Sequence, residues 1–278
     1  RKQINDQNAT ELGSALSKCT NISYLKITLD RNQIGNQGLE SLCSALASFS
    51  NLSNLILSLN DNQISAKGAL VLGSALSNCT NLSNLKLDLS CNQIGGEGIS
   101  GLCFALEKGI NLSNVKLIFE GNQIGNESAS ALGSALAKCN NLQNLKLDLR
   151  SNLIGSQGAL ALSSALSKCK NLSKFSLYLN ENQIDEVGAS DIGSSLSSYT
   201  KLTDLTLDLE WNLIFDKGVS ALGLGLAKCN NLQNLELCFK WSQISTQGVY
   251  DLSSALNRCI KLSNLTLELG QVVHDFLI

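Results

Sequence analysis

The sequence has little of what metal chemistry, nucleophilic catalysis or membrane insertion require. His274 is the only histidine among 278 residues, so there is no sign of a His/Cys metal cluster, an H-E-x-x-H helix or a Ser-His-Asp arrangement. We interpret His274 as structural or incidental. No apolar run reaches the roughly eighteen residues of a membrane helix. We therefore expect a protein that is not an enzyme, with no metal, no cofactor, no small-molecule substrate and no membrane partner.

The chain also lacks methionine and lacks a strong charge of either sign. Its formal net charge of −2 supplies no basic field, so we expect no nucleic-acid partner. Gln3-Ile4 matches Gln33-Ile34, which means that the chain begins in the middle of a repeat. Together with the missing methionine, this leads us to expect an excerpt of a longer protein.

What the sequence does have is one unit that recurs every thirty residues without insertion or deletion. Leu85, Leu87 and Leu89 alternate with polar residues, which is typical of a strand with one buried face. The apolar residues that follow fall at helical spacing, and in this repeat they are Ile99, Leu102, Ala105 and Leu106. The pattern predicts strands near 24–29 and helices near 7–18, and again every thirty residues.

An asparagine follows each of the first seven predicted strands, in the column Asn32, Asn62, Asn92, Asn122, Asn152, Asn182 and Asn212. A buried asparagine side chain can satisfy backbone groups of its own coil and of the adjacent coil, so we predict a hydrogen-bonded structural ladder. Gly98 recurs in six other repeats. We expect it to mark a close approach of each helix start to the sheet.

Stacking such units must produce a curved molecule. Parallel strands lie about 4.8 Å apart, whereas packed helices need about 8–10 Å. We predict an α/β solenoid shaped as a horseshoe, with a parallel concave β-sheet inside and convex α-helices outside, in a single domain over residues 1–278. The repeat stops after Leu269, and we predict that the apolar segment 271–278 caps the last coil.

The repeat closely resembles the leucine-rich repeat family, in its ribonuclease-inhibitor-like subfamily. The pieces that carry the resemblance are Leu87-x-Leu89-x-x-Asn92-x-Ile94-Gly95, then Gly98 and Leu102-x-x-Ala105-Leu106. The strand pattern is two residues longer than the common one, a variant similar to uniform repeat proteins of ciliated protozoa. The resemblance implies a cytoplasmic protein-binding scaffold with reduced cysteines, and it implies no particular ligand.

Six of the ten cysteines form one repeat column, namely Cys19, Cys79, Cys139, Cys169, Cys229 and Cys259. At ordinary helix spacing of about 8–10 Å, neighbouring copies are too far apart for a disulfide. We therefore predict buried free thiols that behave as small hydrophobic side chains. Free thiols favour the reducing cytosol over secretion, and a ciliary location is also open.

Two patterns look like catalytic or cofactor motifs. Residues 96–101 spell G-x-G-x-x-G after a strand and before a helix, as in dinucleotide-binding proteins. Gly98 belongs to the repeat column and no other repeat supplies both flanking glycines, so we interpret this motif as variation within the repeat. Asp208 and Glu210 could do acid–base chemistry, but they alternate along an exposed face without an enclosing cleft. We predict no catalytic residue.

The exposed strand positions carry the information on partners, because the core does not fix them. In the first five strands they mix charges of both signs. Lys86, Lys116 and Lys146 form one column beside Asp88 and Asp148. We predict that cross-strand pairs neutralise this column and leave a solvated lattice of charges.

The last four strands differ, because five carboxylates there face a single lysine and both tryptophans share one repeat position. Tryptophan and tyrosine are enriched at binding hot spots, and acids beside aromatic faces suit Lys or Arg. We predict that a basic protein segment binds at Tyr178, Glu181, Asp208, Glu210, Trp211, Lys240 and Trp241. The alternative is that the rings pack flat over their own loops or against a missing segment.

The predicted function is a non-catalytic protein–protein interaction scaffold with its partner on the concave face. Two alternatives stay open at this point. One is a structural component of a large assembly such as a cilium. The other is the regulatory repeat region of a kinase or other enzyme on the same polypeptide.

Overall fold

The computed structural model describes residues 3–270, so His274 and the predicted cap at 271–278 lie outside the described residues. In this part of the chain nine helices alternate with nine strands. The helices are α1 Asp6–Leu16, α2 Asn36–Leu46, α3 Ala66–Ser77, α4 Gly95–Lys108, α5 Asn126–Leu136, α6 Ser156–Leu166, α7 Glu186–Leu196, α8 Phe215–Leu226 and α9 Thr246–Leu256. The strands are β1 Tyr24–Thr28, β2 Asn54–Ser58, β3 Asn84–Asp88, β4 Asn114–Ile118, β5 Asn144–Asp148, β6 Lys174–Tyr178, β7 Asp204–Asp208, β8 Asn234–Cys238 and β9 Asn264–Glu268.

All described strands form one parallel sheet in chain order from β1 to β9. Each strand pairs with the next at an offset of one repeat, so that Leu85 lies beside Val115 and Leu87 beside Leu117. A slip of one residue would turn every buried leucine to solvent, which is why the repeat fixes the register. The predicted α/β solenoid is confirmed, with β1 ending at residue 28 instead of 29 and α1 running over 6–16 instead of 7–18.

One continuous core lies between the sheet and the helices. Leu85, Leu87 and Leu89 are buried from the sheet side, and Leu102 and Leu106 are buried from the helix side. The alternate strand residues point to the opposite face of the sheet, where no helix covers them. Because strands are spaced more closely than helices, this uncovered face is the concave one.

The asparagine column joins each coil to its neighbours through hydrogen bonds. Asn92 accepts from the backbone N–H of Ile64 at 2.9 Å through Oδ1. Its Nδ2 group donates to the carbonyls of Leu59, Leu89 and Ser90 at 2.9, 3.1 and 3.0 Å. The amide therefore satisfies three buried carbonyls and one buried N–H, two of them in the preceding coil. Ser242 takes this position in the next coil after Asn212 and donates to the carbonyl of Leu209 at 3.2 Å.

All ten cysteines are free thiols, and those of the repeat column are buried except Cys19. The buried thiols are also weak hydrogen-bond donors, because Cys79 Sγ lies 3.5 Å from the carbonyl oxygen of Leu46 in the preceding coil. Cys139 and Cys229 make the equivalent contact at 3.4 Å. The prediction of burial was wrong for Cys19, because no preceding coil covers it in the described structure.

The repeated glycine has a different role from the predicted one. A Cβ atom on Gly98 would lie 2.4 Å from Ile94 Cγ2 and 2.9 Å from the Cβ of Ala69 in α3. The close approach is therefore to the first turns of the preceding helix and to the residue before α4, and not to the sheet. Neighbouring helices pack this closely because the position lacks a side chain.

Candidate partner-binding surface

Trp211 and Trp241 lie in equivalent loops, three residues after the ends of β7 and β8. Their backbones are left-handed, with φ of 55° and 58°. The same loop position has positive φ in each coil from Arg31 to Trp241, so this conformation belongs to the repeat and turns the chain away from the sheet. The tryptophans therefore lie at the edge where the strands end, and not on the strand face where the sequence pattern had placed them.

The two indole rings stack on each other. Their centroids are 4.9 Å apart and their planes differ by 18°. The side chains stay 52% and 57% exposed. Beside them runs a groove lined by Gln183, Leu213 and Gln243, in which Leu213 is 50% exposed. Tryptophan and leucine thus form an exposed apolar patch of the kind that marks interaction surfaces.

The carboxylates next to this patch are crowded. Asp208 ends β7, Glu210 follows it in the loop, and Cys238 ends β8; one ligand atom from each lies within 4.8 Å of the others. Burial raises the pKa of Asp208, and the charges of Glu210 and Asp148 raise it further against the opposing Glu210 N–H and Arg150. Asp208 and Glu210 make no salt bridge with a described residue. An approaching cation would relieve this local excess of negative charge.

Cys238 is held as a neutral thiol in this cluster. Burial raises its pKa to about 12, with contributions from Asp208 and Glu210. Its Sγ lies 3.5 Å from Glu210 Oε2, to which it donates. A thiol must lose its proton to bind a metal ion, and the raised pKa opposes that loss. The cluster is better suited to an ammonium or guanidinium group than to a metal.

The other predicted site residues are engaged within the chain. Lys240 pairs diagonally with Glu268 of the next coil, which lies opposite Cys238. Ser151 donates to Glu181 at 2.7 Å. Lys146 Nζ lies 4.1 Å from the centroid of the Tyr178 ring, and the Arg150 guanidinium lies 5.9 Å from it. The structure therefore clusters Asp208 with Glu210, which precedes Trp211 in the same loop. Tyr178 lies beside Asp208 in the sheet, but its ring contacts Lys146 and Arg150.

The lysine column departs from the prediction of cross-strand ion pairs. Asp148 is taken by Arg150, with Nε to Oδ1 and Nη2 to Oδ2 both at 2.8 Å. Asp88 accepts from the backbone and hydroxyl of Ser90 at 3.2 and 2.8 Å. Lys86, Lys116 and Lys146 form no salt bridge within the described residues. The prediction of a neutralised lattice was wrong, because local partners two residues away capture the carboxylates.

Comparison with protein families agrees with this geometry. Four segments match the family described as "Leucine Rich repeat", at residues 18–43, 81–103, 141–163 and 201–223. Each segment runs from before a strand into the following helix, and the segments fall on every second repeat. These matches support a leucine-rich repeat family. The chain folds as a leucine-rich repeat solenoid. No curated protein matches the sequence.

The solenoid explains the glycine motif without a nucleotide. Helix α4 begins at Gly95, so residues 96–101 lie inside the helix and not in a phosphate-binding turn before it. A Cβ atom on Gly101 would lie 2.7 Å from the Cα atom of Leu70 in α3. Gly98 and Gly101 both serve helix packing in the leucine-rich repeat solenoid.

Within the described residues, no helix is long and apolar enough to cross a membrane.

Leu213 and Cys238 belong to the surface of the solenoid near the tryptophans but were not among the predicted site residues. A sequence signal for Leu213 exists, because the position holds glutamine in seven repeats and leucine only in Leu153 and Leu213. An apolar residue that replaces a polar one at an exposed repeat position indicates a local role. Cys238 gave no comparable signal, since its neighbours in space come from the coils before and after it.

Proposed function

We propose that this chain is a protein-interaction scaffold that binds a basic segment of a partner protein at the C-terminal end of its concave face. Leucine-rich repeat folds are generally protein-interaction scaffolds and are typically not catalytic. The observation that carries the proposal is the stacked, half-exposed pair of Trp211 and Trp241, with Glu210 directly before Trp211 in the chain and clustered with Asp208. These carboxylates have no salt-bridge partner among the described residues.

An arginine or lysine side chain fits this arrangement in two ways. Its alkyl part and charge can lie against an indole face, where a cation–π contact contributes about 0.5–2 kcal/mol. Its charged head then reaches the crowded carboxylates, of which Asp208 has its pKa raised by burial and like charges. Glu181 and Glu236 extend the negative surface on either side, while Tyr178, Lys240 and Glu268 are partly engaged within the chain and contribute less.

The two tryptophans also provide the measurement. They are the only tryptophans in the sequence, so the intrinsic fluorescence reports on this site alone. Titration with an arginine-rich peptide is expected to change that fluorescence, and a glutamate-rich peptide of equal length is expected not to. The change should weaken as salt is raised, because exposed charges are screened.

Substitutions define the site with a labelled peptide and anisotropy. The double variant Trp211→Ala with Trp241→Ala is expected to weaken binding by about 2 kcal/mol or more. Tyr250→Ala is the matched control, because Tyr250 is a 68% exposed aromatic residue on α9, away from the strand-end loops. Glu210→Gln should slow association and reduce its salt dependence. Full affinity in the double tryptophan variant, or a partner cross-linked to the convex helices, would contradict the proposal.

As finer proposals, one helix in each described repeat supports the ribonuclease-inhibitor-like subfamily, and the resemblance to that family supports a cytoplasmic location with reduced thiols. The free state of all ten cysteines fits that location.

A further inference from the structure

A second group of charged residues on the concave face has the opposite sign and is independent of the tryptophan site. Lys86, Lys116 and Lys146 are direct partners on β3, β4 and β5. Adjacent parallel strands place such residues about 4.8 Å apart, and like charges directly opposite each other are unfavourable. The chain keeps three of them in a row, without a salt bridge to any described residue.

The surroundings offset the charge of the column only in part. The nearest acids on the face form no salt bridge with the lysines, because Asp148 pairs with Arg150, while Asp88 keeps its charge and accepts from Ser90. Burial lowers the pKa of Lys116, and Lys146 and Lys86 lower it further, against the smaller opposing effect of Asp88 and Asp148. Lys146 lies over the Tyr178 ring at 4.1 Å, which orients it but does not neutralise it.

A groove follows the column across the strands. It is lined by the three lysines, by the asparagines two residues before each of them, and by Lys174. Tyr24 and Ile56 line its N-terminal end. Asn114 Nδ2 donates to Asn84 Oδ1 at 2.6 Å, and Asn144 donates in turn to Asn114. This series ends because β6 has Lys174 at the next position. Asn144 Oδ1 is buried and has no hydrogen-bond partner among the described residues.

We propose that this groove binds an acidic α-helix of a partner protein, laid across the strands with its carboxylates on Lys86, Lys116 and Lys146. The spacing favours a helix over an extended segment. The three lysines span about 9.6 Å at 4.8 Å per strand. Residues i and i+7 of a helix are about 10.5 Å apart, with i+3 or i+4 between them on the same face. Residues on the same face of an extended chain are about 6.6 Å apart, so a second acidic residue would already miss the next lysine.

The ends of the groove add to this match. Tyr24 is largely exposed and Ile56 half-buried, so an apolar residue one turn beyond the acidic stretch has a surface to cover. The tryptophan site lies beyond β6, at the ends of β7 and β8, and its negative charge repels the same acidic helix. The two sites therefore select partners of opposite charge.

The test uses the whole chain and a labelled, alanine- and glutamine-based peptide with glutamate at positions i, i+4 and i+7. A control peptide has the same composition, with the three glutamates spread around the helix. We expect saturable binding of the first peptide that is at least roughly fivefold tighter than that of the control. Binding should weaken as salt is raised from low to physiological concentration.

The lysine variants include a matched control in the same column. Lys116→Gln is expected to weaken binding roughly two- to fivefold, and the triple variant of Lys86, Lys116 and Lys146 to glutamine roughly tenfold or more, as for partly exposed ion pairs. Lys26→Gln changes the equivalent residue on β1, which Ile56 separates from the column, and should leave affinity unchanged. The double tryptophan variant should also bind the acidic helix normally, which separates this proposal from the proposed function.

Four results would overturn the proposal. One is unchanged affinity in the triple lysine variant, and another is equal affinity for the two peptides. A third is displacement by tripolyphosphate at concentrations similar to those of the peptide, which would assign the column to a phosphorylated ligand. The fourth is a chain that dimerises with loss of peptide binding, which would assign it to a second copy. Melting curves verify folding, and Lys116→Gln is expected to melt no lower than the parent, because it removes repulsion.

Discussion

The concave face of the sheet from β3 to β5 and the face from β7 to β9 share one backbone and differ in charge. In both, the strands pair at the same register and an asparagine amide joins consecutive coils. The first carries Lys86, Lys116 and Lys146, and the second carries Asp208, Glu210 and Glu236. Because the core requires the same buried leucines in both, only the uncovered positions are free to vary.

The two regions also differ in how they treat their charges. Around β3–β5, Asp88 accepts from Ser90 and Asp148 pairs with Arg150, so the lysines have no salt bridge in the described structure. Around β7–β9, Lys240 pairs with Glu268 and leaves Asp208 and Glu210 crowded beside a neutral thiol. In each region, residues of one charge have no salt bridge among the described residues, although residues of the opposite charge lie nearby. This difference teaches that the net charge of −2 for the whole chain hides two local fields of opposite sign.

The largest expected effect tests whether the framework under the two regions is the same. Asn122→Ala and Asn212→Ala each remove one of the donors to three carbonyls, and leave the buried N–H groups of Ile94 and Ile184 without their acceptor. We expect each to lower the free energy of unfolding by about 3 kcal/mol, measured by urea denaturation.

Asn212→Ser is the milder control, because Ser242 fills the same position in the next coil and keeps a bond to Leu209 O at 3.2 Å. It should cost clearly less than Asn212→Ala. If Asn122→Ala and Asn212→Ala differed by several kcal/mol, the comparison would break, since the two regions would not rest on equivalent coils.

The next effect concerns the helices behind the two regions. A Cβ atom on Gly73 of α3 would lie 2.1 Å from the carbonyl oxygen of Gly101. A Cβ atom on Gly225 of α8 would lie 1.9 Å from the carbonyl oxygen of Gly193. Alanine normally favours a helix over glycine by about 1 kcal/mol. Here the clash should reverse the sign, and we expect a loss of about 2 kcal/mol in each variant.

Gly125→Ala is the control for these variants, because nothing lies within 4 Å of the added Cβ atom. Its melting temperature should stay close to that of the parent chain. A stabilising effect of Gly73→Ala or Gly225→Ala would show that the helices can separate without cost.

The fold could be predicted from the sequence almost to the residue. The period-two leucines placed the strands within one residue of their observed ends, because a shift would expose the core. The close packing of α3 against α4 at Gly73 was not predicted. A signal exists, because Gly13, Gly73 and Gly133 alternate with the larger Cys43, Cys103 and Ser163 at one helix position. That alternation has a period of two repeats, which a search for a single repeat does not reveal.

The candidate site could be predicted only in part. The stacking of Trp211 on Trp241 follows from their shared repeat position, because equivalent residues of adjacent coils are neighbours. The choice of ion-pair partners did not follow. Asp148 binds Arg150 on its own chain segment and not Lys146 beside it, and this depends on competing side-chain conformations that strand alternation does not encode. The turn that moves the tryptophans to the edge of the sheet required the left-handed φ.

A smaller effect tests to which region Tyr178 belongs. Its ring lies under Lys146 and near Arg150, so the structure places it with the lysines. Tyr178→Leu is expected to lower the free energy of unfolding by about 0.5–1 kcal/mol through loss of the cation–π contact, and Tyr178→Phe to change it little. Chemical denaturation measures both. An equal loss in the two variants would instead assign the effect to the hydroxyl group.

The smallest effect compares the two uncompensated charges directly. Burial and like charges raise the pKa of Asp208 and lower that of Lys116, so the ionised form of each is disfavoured in the folded state. Removing either charge should therefore raise stability at neutral pH. We expect gains below about 1 kcal/mol for Asp208→Asn and for Lys116→Gln, because both groups are partly exposed and screened by solvent.

The pH dependence of these gains has opposite sign in the two regions. The folded chain binds the Asp208 proton more tightly than the unfolded chain, so the gain from Asp208→Asn is present at neutral pH and vanishes as pH falls below the ordinary value of 3.8. The folded chain binds the Lys116 proton less tightly, so the gain from Lys116→Gln is present at neutral pH and vanishes as pH rises above 10.5. Urea denaturation across this range measures both. If either variant were less stable than the parent at pH 7, its charge would have a partner in solution, and the region around it would not hold a free charge for a ligand.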